Sequence, residues 1–108
     1  MNTHHAQTVL VADVTGYDTA AYTTQTTECA ILTWSQLGID EVRELTSRAY
    51  RVPENASEQL LIVKTSFITH DAQNALLKLL EEPPVTTRFL FVLPLDFRAL
   101  PTLRSRLS

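Results

Sequence analysis

A chain of 108 residues, 44% of them hydrophobic, has material for one core and too little for two ordinary domains. Nine basic against twelve acidic residues leave a formal charge of −3, which argues against the broad phosphate contacts of sequence-independent DNA binding and leaves Arg98, Arg104 and Arg106 as a small local basic patch. One cysteine, Cys29, rules out an intrachain disulfide and a cysteine zinc site, and no apolar run nears the roughly 20 residues that span a bilayer.

The first eight residues, Met1 to Thr8, have no basic stretch ahead of an apolar one, so they do not read as a secretion signal and a cytoplasmic protein is expected. The match of Asn55-Ala-Ser57 to a glycosylation sequon is then a chance one. Thr8-Val-Leu-Val-Ala-Asp13, bounded by Thr15-Gly16, reads as a buried first strand. Residues Tyr17 to Thr27 are rich in threonine, whose branched Cβ resists helix, and predict a short irregular helix or loop. Cys29 to Trp34 is a second strand, and Gly38 a turn.

From Ile39 the spacing turns helical: Ile39, Val42, Leu45 and Ala49 share one face, with Asp40, Glu41, Arg43, Glu44 and Arg48 on the other. Pro53 to Ser57 closes that helix with loop residues, and Leu60 to Val63 is a third buried strand. Thr69 caps the next helix, whose apolar stripe is Ala72, Ala75, Leu76, Leu79 and Leu80 and which Pro83-Pro84 ends. Phe89 to Leu93 makes a fourth strand, and a short terminal helix starts near Thr102. Alternating strands and helices over residues 1–108 predict one α/β domain with a mostly parallel sheet of about four strands.

Three blocks carry a more specific signal: Ile39-Asp-Glu-Val-Arg-Glu-Leu45, then Asn74-Ala-Leu-Leu-Lys-Leu-Leu-Glu-Glu-Pro-Pro84, then Leu100-Pro-Thr-Leu-Arg-Ser-Arg106. In this order and spacing they resemble the core of the clamp-loader AAA+ ATPases, the gamma/tau and delta-prime subunits of bacterial DNA polymerase III. The resemblance implies a three-layer domain of the P-loop NTPase kind, reduced and ending before the family's lid and collar domains. It also implies a sheet in which the first strand lies beside the fourth, the third beside the fourth, and the second at an edge.

The same resemblance locates where nucleotide chemistry belongs. The family's phosphate loop, Gly-x-x-x-x-Gly-Lys-Ser/Thr, follows the first strand, because glycine backbone must approach the phosphates and lysine must neutralise them. Here Val14-Thr-Gly16-Tyr-Asp-Thr-Ala20 stands there with one glycine and no lysine, and Gly16 reads as a turn glycine. Where the family ends its third strand in Asp-Glu, the Walker B pair that holds magnesium and orients water, the aligned positions are Val63 and Lys64. Lys64 is read chiefly as an exposed strand-end lysine, and otherwise as the partner of a nearby acid or a stand-in for a lost cation. The polar sensor-1 position falls near Leu93 and Pro94. A chain with no ATPase activity, no bound cofactor and no metal is expected.

One element of the family's chemistry is kept. The arginine of its Ser-Arg-Cys motif reaches the ATP site of a neighbouring subunit, and Ser105-Arg106 stands in that place, with Leu107 for the cysteine. Arg106, flanked by Ser105 and Arg104, is the candidate arginine finger acting in trans, the alternative being solvated arginines of a terminal helix. The expected role is a non-catalytic, delta-prime-like module that docks on ATP-binding, gamma/tau-like subunits and meets DNA only indirectly. The alternative is a repurposed interaction domain without a replication role, self-associating through an open sheet edge. His4, His5 and His70 accompany no nucleophile motif and read as surface residues.

Overall fold

The computed structural model describes residues 6–23, 27–54 and 56–107. In chain order it contains β1 (Ala6–Val11), a single 3-10 turn (Ala20–Tyr22), β2 (Thr27–Trp34), α1 (Ile39–Ala49), β3 (Glu58–Thr65), α2 (His70–Glu81), β4 (Thr87–Pro94) and α3 (Pro101–Arg104). The four strands form one sheet in the order β1-β4-β3-β2, every neighbouring pair parallel. This is the order the resemblance implies.

Strand boundaries differ from the sequence reading by one to two residues, and the cause is local. β1 stops at Val11 because Asp13 turns back, its Oδ1 accepting from Gly16 N at 3.2 Å and from Thr15 Oγ1 at 3.4 Å. A Cβ at Gly16 would collide with the Asp13 carboxylate as it is placed, so a side chain there would have to displace that carboxylate. α3 begins at Pro101, the first helical position, where the missing N–H costs nothing.

The Thr69 cap of α2 is legible in the sequence, whereas the cap of α1, where Gly38 reads only as a turn, is not. Glu41 Oε1 accepts from Gly38 N at 2.8 Å at the head of α1, and Thr69 Oγ1 accepts from Ala72 N at 3.0 Å at the head of α2. At the other end of α1, Gln59 Nε2 donates to Arg51 O at 2.9 Å and Thr87 Oγ1 donates to Ala49 O at 2.6 Å, so residues of β3 and β4 satisfy carbonyls that the helix leaves open.

Strand parity divides the interior in two. Leu61, Val63, Phe89, Phe91 and Leu93 face α1, α2 and α3, meeting Leu45, Leu76, Leu79 and Leu103. The alternate residues Leu60, Ile62, Leu90 and Val92 face the other way, toward Val14, Tyr17 and Tyr22. The chain moves from β2 through β3 to β4 in one direction across the sheet and from β1 to β2 in the other, so right-handed crossovers place the β1–β2 connection opposite the helices. That connection, with its 3-10 turn, forms the second outer layer over residues 12–23. The Thr-rich segment extends into 24–26, outside the described residues. In a parallel sheet all strands end on one side, where the segments after β1, β3 and β4 emerge; ligands of open α/β sheets bind there.

Candidate functional site

Consecutive residues of β3 point to opposite faces. Val63 therefore enters the helix-side core, fully buried, and Lys64 turns to the side covered by the β1–β2 connection. Lys64 is 7% exposed, and its Nζ donates to the carbonyls of Thr15 at 3.1 Å and Tyr17 at 2.8 Å. The expectation of an exposed lysine is thus corrected. Its partners are two backbone dipoles instead of an acid, and they belong to the very segment that follows β1.

The polarity of this arrangement is opposite to that of a phosphate loop. There, backbone N–H groups converge on an anion; here two carbonyls converge on an ammonium. The loop is held from its other side by the Asp13 carboxylate, which takes up the Gly16 N–H. Further along, the Tyr17 phenol is hydrogen-bonded with Tyr22, which moves its ionisation above the usual tyrosine range. Leu93, at the sensor-1 position, is fully buried, and Pro94 offers only a carbonyl, which accepts from Phe97 N at 3.1 Å. Among the described residues no group of three or more His, Cys, Asp or Glu could hold a metal ion.

The terminal arginines sit on a separately anchored segment. Leu100 N, the cap of α3, donates to Gln73 Oε1 at 2.7 Å, while Gln73 Nε2 donates to Ile68 O at 3.3 Å. Leu103 is buried against the helix-side core, and Ser105 Oγ donates back to Thr102 O at 2.8 Å. Arg104, Ser105 and Arg106 remain exposed. Arg106 Nη2 lies 3.7 Å from Glu81 Oε2, the last residue of α2, with both side chains roughly half exposed. Lys64 and Arg106 share no bonding partner, so these two candidate positions stand as independent features.

Sequence reasoning missed Gln73 and Asp13. For Gln73 a signal existed: it lies three and seven residues before Leu76 and Leu80, a polar residue set into the apolar stripe of α2, and it is 7% exposed. His70 is exposed at the start of α2, as expected, while His4 and His5 lie outside the described residues, as does Asn55 of the sequon.

Comparison with known proteins agrees with this fold and these motifs. The family model described as DNA polymerase III, delta subunit, matches residues 2–108. The DNA polymerase III gamma/tau subunit of Mycobacterium bovis is 40% identical over 70 residues, which cover 64% of this chain and 12% of that protein. The delta' subunit of Escherichia coli K12 is 39% identical over 71 residues, covering 65% of this chain and 21% of that protein. Among solved structures, a DNA polymerase III gamma subunit-related protein from Thermotoga maritima superposes with a TM-score of 0.61 at 28% identity, covering 77% of this chain and 28% of that one. The chain thus spans about an eighth to a fifth of the length of the curated relatives it matches. No helix among the described residues is long and apolar enough to cross a membrane. With its parallel β1-β4-β3-β2 sheet, its Asn74–Pro84 and Leu100–Arg106 blocks and a family match over nearly the whole chain, this protein belongs to the DNA polymerase III delta-subunit family of clamp-loader-related proteins.

Proposed function

We propose that this domain is a nucleotide-independent clamp-loader module of the delta-prime kind, which docks on an ATP-binding gamma/tau-like subunit and presents Arg106 to that subunit's nucleotide. The observation that carries the reading is the Lys64 ammonium, buried and bonded to the Thr15 and Tyr17 carbonyls. A carboxylate at that position would orient the attacking water; a lysine there cannot act as that base, supplies a fixed cation and leaves the loop closed on itself. With Val63 at the neighbouring position the strand end has no carboxylate to hold magnesium. The chain therefore has no ATPase activity of its own, and titration calorimetry with magnesium-ATP shows no binding heat.

Arg106 suits the role left to it. Its guanidinium is exposed, permanently charged and, among the described residues, tethered only by a half-exposed ion pair with Glu81, an interaction worth about 0–1 kcal/mol. Exchange of that carboxylate for a phosphate oxygen of a neighbouring subunit's nucleotide is cheap. The test is the steady-state ATPase rate of a gamma/tau-like partner mixed with this protein. Arg106→Ala lowers kcat by about 10-fold or more if the arginine acts in trans, while an unaltered rate in a complex that still forms ends the finger role. Such work in DNA replication implies a cytoplasmic location and only indirect contact with DNA.

A second reading, a self-associating interaction domain outside replication, is favoured by one observation: β2 is an eight-residue edge strand on which Ile31 is 55% exposed. Ile31→Lys abolishes the dimer in sedimentation velocity under this reading and changes nothing under the first.

A further inference from the structure

We propose that the groove between α1 and α2 is a docking site for an acidic amphipathic helix of a partner protein. The groove has a volume of about 640 Å³ and lies on the outer side of the helix layer. Its floor is Val42 and Leu79, and its walls carry Ile39 and Tyr50, which are 39% and 60% exposed. Exposed apolar side chains flanking a continuous apolar floor mark interaction surfaces more often than chance exposure does, and tyrosine and arginine are the residues that most often dominate binding.

The charge of the rim selects the partner. Arg43 from α1 and Lys78 from α2 both line the groove, and no carboxylate is among its lining residues. The basic rim runs against the net charge of −3 carried by the chain as a whole. Among the described residues Arg43 pairs only with Asp40, at 3.4 Å with side chains 78% and 88% exposed, and Lys78 takes part in no ion pair. Both cations are therefore available to an incoming acid. Two cations over an apolar floor are too few for a phosphate-driven nucleic-acid site and fit glutamates flanking a leucine stripe. Ile39 and Tyr50 lie about 16 Å apart along α1, which admits about three turns of a partner helix.

Neither Lys64, Glu81 nor Arg106 lines this groove, so the inference stands apart from the finger role. Its test uses the full chain, isotope-labelled for NMR, and a synthetic helical peptide with leucines at helical spacing and glutamates flanking them, beside a counterpart with lysines for the glutamates. The expected result is binding of the glutamate peptide, with shift changes centred on Ile39, Arg43, Tyr50 and Lys78 and an affinity that falls with salt. The double variant Arg43→Glu/Lys78→Glu loses about 10-fold in affinity for it and gains affinity for the lysine peptide. Tyr50→Ala weakens both. Equal binding of the two peptides, shifts on another surface, a single-stranded oligonucleotide occupying the groove, or no binding at millimolar peptide would each overturn the proposal. All three substituted residues are exposed, and far-ultraviolet circular dichroism of the variants verifies that they fold.

Discussion

The Arg106 guanidinium and the Glu81 carboxylate meet at 3.7 Å, so the chain's terminal segment is linked by charge to the end of α2. Both groups are roughly half exposed, and water and salt screen them. Arg106→Ala is therefore expected to change stability by less than about 1 kcal/mol. Urea denaturation with an unchanged midpoint, alongside a lowered partner ATPase rate, would separate a functional role for Arg106 from a structural one.

Lys64 makes the opposite prediction. Lys64→Met keeps much of the apolar stem but leaves the Thr15 and Tyr17 carbonyls without their donor, at a cost of about 1–3 kcal/mol. Lys64→Glu places an acceptor against acceptors in a 7% exposed position and destabilises more. Urea midpoints in the order wild type, Lys64→Met, Lys64→Glu test both statements. Neither variant is expected to gain ATP binding, since the loop after β1 still lacks lysine and the further glycine.

Gln73 joins the segment after β3 to the segment before α3 through Ile68 O and Leu100 N. Gln73→Leu removes both bonds and leaves the buried Ile68 carbonyl and the part-buried Leu100 N–H to find other partners, costing about 1–3 kcal/mol. Amide hydrogen exchange at Leu100 should accelerate well beyond that at Leu103, because the loss is local to the cap of α3.

Partial burial of its sulfur raises the Cys29 thiol above its ordinary pKa, although the residue as a whole is exposed on the edge strand β2. Thiolate is the reactive form, so alkylation by iodoacetamide should rise with pH later than it does for a small free thiol. A folded pKa above the unfolded one means that ionisation favours the unfolded chain. Any stability contribution is complete below the ordinary thiol pKa and declines as pH climbs through the raised one. A rate profile that coincides with that of the free thiol would sink this prediction.

Much of this architecture was legible in the residues. Short apolar runs located all four strands, helical spacing from Ile39 and from Thr69 located both long helices, and the three family blocks implied the strand order that the sheet adopts. The surroundings of Lys64 were not legible. Its parity with Leu60 and Ile62 assigns it to a face, but what covers that face comes from a segment about fifty residues earlier, whose threonines give no periodic signal. Gln73 shows the same limit from another side: a glutamine among leucines marks a buried polar site, yet its partner Leu100 lies 27 residues away, across β4. The Arg106–Glu81 pair joins two blocks that the sequence reading singled out separately, and only the packing of α3 against α2 brings them together.

α2 carries the Gln73 anchor of the terminal segment near its start, Lys78 and Leu79 of the groove in its last turn, and Glu81 at its end. A helix of 12 residues is a stiff rod about 18 Å long, so these three attachments share one set of rigid-body displacements. A partner that tilts or slides the rod at the groove is therefore expected to displace the Gln73 anchor of the terminal segment with it.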